Sequence, residues 1–156
     1  FVCLGNICRS PLAQGVFESL VKEEGQQDRI IISSAGVSGW HVGNPPDARM
    51  QQTARDHGIH LNSRGRQFQS SDFEQMDLVL AMDHSNLSAL KQMRPEPELQ
   101  DKLFLFRSFD PQHNNDLDVP DPYYGGDKGF ETVYQIVERT CPKVLDHLKM
   151  MLAKKA

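Results

Sequence analysis

Phe1-Val2-Cys3-Leu4-Gly5-Asn6-Ile7-Cys8-Arg9-Ser10-Pro11 decides how this chain is read. Five residues separate Cys3 from Arg9, and a hydroxyl and a proline follow at once. A bridge of that length can curl until successive backbone N–H groups point at one anion. Arg9 then closes the ring with a fork that matches two phosphate oxygens. Cys3 sits at the base, where a thiolate is placed to attack phosphorus. Gly5 keeps the floor clear of side-chain bulk, and Asn6 tolerates the left-handed backbone that a tight ring needs. Ser10 can donate its hydroxyl to the sulfur. Phe1-Val2-Cys3 reads as the end of a buried strand. Pro11 suits the first position of a helix capped by Arg9 or Ser10, whose dipole also favours an anion. Read blandly, Cys3 is a core cysteine and Ser10 a cap, and the spacing alone does not choose. The strand–loop–helix context favours the anion site.

Outward from this loop, Leu12, Val16, Leu20 and Val21 recur at helical spacing, and Gly25 offers a stop. Residues 30–33, Ile-Ile-Ile-Ser, predict a second strand buried on both faces. Pro45-Pro46-Asp47 opens a helix that runs to about His57, with Gly58 as its stop. Ser70-Ser71-Asp72 caps a short helical turn. Residues 78–82 predict a third strand, 83–93 a helix ended by Pro95 and Pro97, and 102–106 a fourth strand. A polar loop, 108–129, carries Pro111, Pro120 and Pro122. In the final helix Phe130, Val133, Val137, Val144 and Leu148 share a side, and Pro142 should kink or interrupt it. Apolar strands alternating with helices indicate an α/β fold, a parallel sheet between two helical layers. Sites in such sheets form at the carboxyl ends of the strands, where Cys3 and the loops 36–44 and 108–129 fall.

The length of 156 residues fits one domain, 1–156, able to bury a core without disulfides or metals. A net charge of −4 argues against nucleic-acid and membrane partners, so an anion site must be made locally. No apolar run is long enough to span a bilayer. Three cysteines, one of them the distant Cys141, do not make a secreted disulfide framework; a reducing cytoplasmic setting is expected. Phe1 is not methionine, so the native start is expected to be missing and a leader stays formally open. The six histidines form no metal set, and no cofactor is called for.

Attack on a phosphate ester needs a proton donor for the leaving oxygen. The 108–129 loop offers Asp110, Asp116, Asp118, Asp121 and Asp127. Pro120 and Pro122 hold Asp121 rigidly, which favours it modestly. Trp40, Tyr123 and Tyr124 are loop aromatics that could wall a flat aryl group.

Val2-Cys3-Leu4-Gly5-Asn6-Ile7-Cys8-Arg9-Ser10-Pro11 resembles the signature of the low-molecular-weight protein tyrosine phosphatases. Ser34-Ala35-Gly36, Gly39-Trp40-His41-Val42-Gly43, Arg64-Gly65-Arg66-Gln67 and Asp121-Pro122-Tyr123-Tyr124-Gly125 are similar to further stretches of that family, in the same order, and look closer to its bacterial members. The resemblance implies a four-stranded parallel sheet and hydrolysis of phosphotyrosine or small aryl phosphates through phosphocysteine. It implies Cys3 as nucleophile, Arg9 as phosphate clamp and Asp121 as general acid and base. Leu4, Gly5, Asn6, Ile7, Cys8 and Ser10 would line the phosphate, with Ser34 bonded to Asn6 in support and Trp40 and Tyr123 at the mouth beside Tyr124. A related branch acts on phosphoarginine with threonine at the position of Ile7, so isoleucine tilts the choice to tyrosine. A position often histidine in animal members falls on Ser63. Cys8 would protect Cys3 through a disulfide on oxidation, making the protein redox-regulated. Arsenate reductase on this scaffold is the second reading, for which Cys141 is a poor relay; a phosphate-binding module without turnover is the third. A weak homo-oligomer stays open.

Overall fold

The computed structural model describes residues 1–155, with the side chain of Asp127 outside the described set. Four strands, β1 (Val2–Cys3), β2 (Ala35–Gly36), β3 (Val79–Ala81) and β4 (Leu103–Leu105), form one parallel sheet in the order β2-β1-β3-β4. Three helices, α1 (Arg9–Glu23), α2 (Ala48–Asp56) and α6 (Asp127–Lys155), pack on one face. The remaining three, α3 (Asp72–Gln75), α4 (His84–Met93) and α5 (Pro97–Gln100), belong to the other. The three-layer parallel arrangement read from the sequence is therefore present. Strand β3 explains why its run is apolar throughout. Successive side chains point to opposite faces, so Leu80 and Met82 enter the core under α1 and α6 while Val79 and Ala81 enter the other.

The second strand lies later than predicted. The register sets Val2 opposite Ala35 and Cys3 opposite Gly36, which carries residues 30–32 beyond Phe1 with no β1 residue opposite them. Ile31 is 92% exposed, and Ile30 and Ile32 are only half-buried. Pro11 is the third residue of α1, not the first; Cys8 occupies the cap and gives no side-chain bond. A proline fits there because N–H groups of the first turn have no helical partner. Neither Arg9 nor Ser10 caps; both side chains turn to the site. Helix α6 runs through Pro142 without interruption. Pro142 and Glu138, whose carbonyl it cannot bond, both lie on the exposed side, where water can serve that carbonyl. Ser71 gives no side-chain cap to α3; the Asp72 carboxylate instead accepts from the Gln69 N–H at 2.7 Å.

The polar loop after β4 is organised by a buried acid. It opens as a 3-10 turn, Phe106–Phe109, and the Asp110 side chain that follows is fully buried. Asp110 accepts from Arg139 Nε at 2.8 Å and Nη2 at 2.9 Å, Arg107 Nε at 3.0 Å and the Gln112 N–H at 2.8 Å. Burial alone would raise its pKa. The bonds from Arg139, Gln112 and Arg107 outweigh that and pull it from 3.8 to about 2. With the folded value below the unfolded one, this stabilisation is full above pH ~4 and lost as pH falls through about 2. Asp110→Asn leaves two arginines facing an uncharged group and is expected to cost about 3–5 kcal/mol at neutral pH. It should also flatten the acid limb of stability between pH ~4 and ~2. Urea unfolding measured across that range checks both; an acid limb as steep as the wild type's would exclude this role for Asp110.

Candidate active site

The loop between β1 and α1 is shaped from outside by bonds to its carbonyls. Cys3 O accepts from Val37 N at 2.9 Å, Leu4 O from Ser38 N at 2.9 Å, Ile7 O from Asp47 N at 2.8 Å and Cys8 O from Leu12 N at 3.2 Å. In a trans peptide the next N–H points opposite to the carbonyl. Tethering these four carbonyls to the surroundings turns the N–H groups of Leu4, Gly5, Cys8 and Arg9 the other way, toward the space the loop encloses. The turn is made at Asn6, whose φ is 58°. A Cβ on Gly36 would stand 2.9 Å from Leu4 O, so the glycine lets β2 approach the loop floor.

Asn6 is buried and uses its whole amide. Its Nδ2 donates to Ser10 Oγ at 2.8 Å and to Ser34 Oγ at 2.9 Å, and its Oδ1 accepts from Arg66 N at 3.0 Å. The Arg66 N–H requires an oxygen and thereby fixes which way the amide faces. The Ser34 hydroxyl in turn donates a hydrogen bond to Gln14 Oε1 at 2.6 Å. Ser10 Oγ lies 3.0 Å from Cys3 Sγ and 3.5 Å from Ala35 O. Having accepted from Asn6, its single proton is best directed at the sulfur. The network thus ends by presenting a hydroxyl hydrogen to Cys3, which stabilises negative charge there.

Arg9 is 2% exposed. Its Nη1 donates to Asp83 Oδ2 at 2.7 Å and to Val119 O at 3.0 Å, and its Nη2 reaches Asp121 Oδ2 at 3.4 Å. Burial disfavours its charge, but Cys3, Asp83 and Asp121 together raise its pKa. Asp83 is the residue sequence reasoning missed: it caps α4 through Asn86 N at 2.8 Å and orients Arg9 with its other oxygen. Its place directly after the third apolar run, at the carboxyl end of a strand, was the available signal. Gln14, one helical turn from Ser10, and the Arg66 N–H were missed as well.

The 108–129 acids separate by what they touch. Asp110 is buried against two arginines, Asp116 lies 3.3 Å from Arg107, and Asp118 accepts from His84 N and Nδ1. Asp121 is 33% exposed; Oδ1 accepts from Tyr123 N at 3.1 Å, and Oδ2 makes only the long contact to Arg9. Asp127's side chain lies outside the described residues.

Among the aromatic and apolar residues named from the sequence, Tyr123 is 39% exposed, its ring 5.5 Å from the Arg49 guanidinium and 4.9 Å, edge-on, from Tyr124. Leu4 is exposed at 36%, and Ile7 packs partly on the core. Trp40 is 75% exposed; its neighbour His41 is the side chain set against Gly5. Cys3, Cys8 and Cys141 are free thiols. Burial, then the charges of Asp47, Cys3 and Asp121, raise the Cys8 pKa and keep that thiol protonated. Among the described residues no cluster of three or more His, Cys, Asp or Glu could hold a metal. What the arrangement can do is bind a tetrahedral oxyanion over a sulfur, between an arginine fork and a carboxyl group.

Residues 1–154 match the family described as low molecular weight phosphotyrosine protein phosphatase. A low molecular weight protein-tyrosine-phosphatase of Streptomyces coelicolor is 47% identical over 139 residues, 88% of this chain and 85% of the relative. The crystal structure of a protein tyrosine phosphatase from Entamoeba histolytica superposes with a TM-score of 0.91 at 36% identity, covering 96% of this chain and 95% of that one. A Drosophila arginine phosphatase superposes at 0.87 with 37% identity, covering 96% of each.

Asn6→Ala would remove three bonds and place alanine in left-handed backbone, at a cost of roughly 1–3 kcal/mol for unpaired groups plus 1–2 for the backbone. Inorganic phosphate affinity, measured by calorimetric titration, should fall about tenfold or more, as 1.4 kcal/mol is a factor of ten. Unchanged affinity would show that Asn6 does not hold the ring.

Proposed function

The chain belongs to the low molecular weight phosphotyrosine protein phosphatase family, and from that premise we propose that Cys3, Arg9 and Asp121 hydrolyse phosphotyrosine in proteins, and small aryl phosphates, through a phosphocysteine. The protein is a cysteine-dependent protein-tyrosine phosphatase. The observation that carries the residue roles is the convergence on Arg9: one buried guanidinium follows the Cys3 loop directly and reaches Asp121.

In the first step the Cys3 thiolate attacks phosphorus in line with the aryl oxygen. The S–P bond forms, the P–O bond breaks, and Asp121 gives its proton to the departing phenolate. Arg9 and the inward amides hold the equatorial oxygens, where charge gathers. In the second step Asp121, now a carboxylate, takes a proton from water as that water attacks phosphorus. The S–P bond breaks, inorganic phosphate leaves, and the Ser10 hydroxyl stabilises the returning thiolate. The Asp121–Arg9 contact of 3.4 Å is at the outer limit of a hydrogen bond, so substrate can draw Arg9 onto its oxygens without breaking a strong pair.

Tyr123 and Trp40 would flank the aryl ring, and Leu4 and Ile7 supply apolar wall. Ile7 favours phosphotyrosine over phosphoarginine, the substrate class named for the Drosophila relative. An arsenate reductase would need Cys141 as a relay, but that thiol is fully buried inside α6. Among the described residues no helix is long and apolar enough to cross a membrane; a cytoplasmic setting, suited to a reduced nucleophile, is part of the reading. Under peroxide, Cys3 would form a sulfenic acid that the Cys8 thiol attacks, closing a disulfide with loss of water.

Phenyl phosphate turnover by three proteins tests the roles. Cys3→Ser should show no hydrolysis above background, and Asp121→Asn should lose roughly 10²–10⁴ in kcat/KM. A fully active Cys3→Ser protein would falsify the mechanism. For the redox step, activity after peroxide and then dithiothreitol should return in the wild type and stay lost in Cys8→Ser. Equal recovery would remove Cys8 from the protective role.

A further inference from the structure

We infer that Arg107 is a positioning residue for the general acid: it clamps the peptide that feeds Asp121, so that the proton donor stands over the leaving oxygen. The inference deepens the reading above and rests on Asp121 being the acid.

Arg107 lies in the 3-10 turn after β4, with a side chain only 11% exposed. Its guanidinium joins three points of the loop. Nε donates to Asp110 Oδ2 at 3.0 Å, and Nη1 donates to the backbone carbonyl of Asp118 at 2.9 Å and lies 3.3 Å from Asp116 Oδ2. The carbonyl of Asp118 and the N–H of Val119 belong to one planar peptide. That N–H donates to Met82 O at 2.8 Å, at the end of the third apolar run. The plane is therefore held at both edges, by Arg107 on one side and Met82 on the other. The next carbonyl, Val119 O, accepts from Arg9 at 3.0 Å, and Val119 is fully buried. Pro120 follows with its fixed φ, and then Asp121.

Three consecutive backbone groups thus determine where Asp121 emerges. Met82, just after β3, and Arg9, in the phosphate site, hold two of them. Arg107 holds the third from outside and is anchored in turn by Asp110, which Arg139 of α6 grips from its far side at 2.8 and 2.9 Å. The Asp118 side chain is tied to His84 N and Nδ1, but both side chains are largely exposed, so that link is weaker. Freeing the Arg107 edge lets the peptide plane rotate and shifts Asp121, while Cys3, Arg9 and the amide ring keep their own supports.

Such a shift has a kinetic signature that loss of stability lacks. Ester cleavage governs kcat/KM, and help from an acid matters in proportion to how poor the leaving group is. Phenyl phosphate needs the proton; 2,4-dinitrophenyl phosphate does not. Arg107→Gln should lower kcat/KM for phenyl phosphate by roughly tenfold or more, since a displacement of about 1 Å can cost ~10². For 2,4-dinitrophenyl phosphate it should stay within ~2-fold, the range expected when proton transfer contributes nothing. Arg139→Gln loses an Asp110 partner but keeps the Asp118 link, and should keep the wild-type leaving-group profile. Equal losses on both substrates in Arg107→Gln, or the same steepening in Arg139→Gln, would overturn the inference. Asp121→Asn, measured alongside, separates it from its premise: a flat profile there removes Asp121 as the acid, whereas a steep one beside a flat Arg107→Gln removes only the inference. Should Arg107→Gln not fold, Arg107→Lys keeps a charge against Asp110 but exchanges a two-edged fork for one ammonium. It should steepen the profile in the same direction, and an unchanged profile would count equally against the role.

Discussion

Asn6 carries the constraint on which the rest of the site depends. A phosphate-sized ring needs one residue in left-handed backbone, and that residue must be held there while being buried. Glycine could adopt the conformation but would offer no bonds. Asparagine adopts it at lower cost than other side chains and uses its amide to join the loop to three separate segments: α1 through Ser10, the approach to β2 through Ser34, and the segment after α2 through Arg66 N. The carbonyls of Cys3 and Leu4 are then tied by amides just after β2, and that of Ile7 by the amide of Asp47 at the start of α2. These bonds come from the protein itself, so binding an anion need not supply the order they impose.

Arg9 extends this order to the other half of the sheet. It begins α1, yet its partners come from segments that follow the third and fourth strands: Asp83 just after β3, Val119 and Asp121 beyond β4. One buried cation facing two carboxylates and a carbonyl is compensated within the protein while donors remain for substrate. It also explains how a chain of net charge −4 can hold a phosphate dianion: the attraction comes from local dipoles and one guanidinium, not from an overall field.

How much of this the sequence reveals depends on whether the controlling contacts are local. The parallel three-layer fold follows from apolar runs at 78–82 and 102–106 alternating with helical patterns, and the helix ends at Gly25 and Gly58 follow from their left-handed backbone, φ 68° and 79°. For residues 30–33 the register that sets Val2 opposite Ala35 leaves no residue of this sequence to pair with, so pairing is seen only at Ala35 and Gly36. Pro142 misled because a proline on the wet side of a long packed helix loses a bond that water can replace. Within the site, Cys3, Arg9 and Ser10 were legible because they lie on one short stretch. Asp83 and Gln14 were not, because each matters only through a partner distant in sequence: Arg9 for Asp83, Ser34 for Gln14.

The choice among the loop's acids shows what structure adds to such a reading. By sequence, Asp110, Asp116, Asp118 and Asp121 differ only in their neighbours, and flanking prolines are a weak reason to prefer one. In the fold, Asp110 is fully buried and held well below the ordinary carboxylate range, an anion fixed by two arginines and unable to exchange protons near neutral pH. The Asp118 carboxylate pairs with His84, and that of Asp116 with Arg107. Asp121 alone of these four reaches the arginine that follows the cysteine loop, and its contact is long enough to yield. The acids that do not touch the site are not idle. Asp110 and the carbonyl of Asp118, through Arg107, set the backbone from which Asp121 projects. The loop therefore divides its carboxylates between Asp121, held beside Arg9 only by a long contact, and Asp110, whose fixed charge anchors the arginines around it.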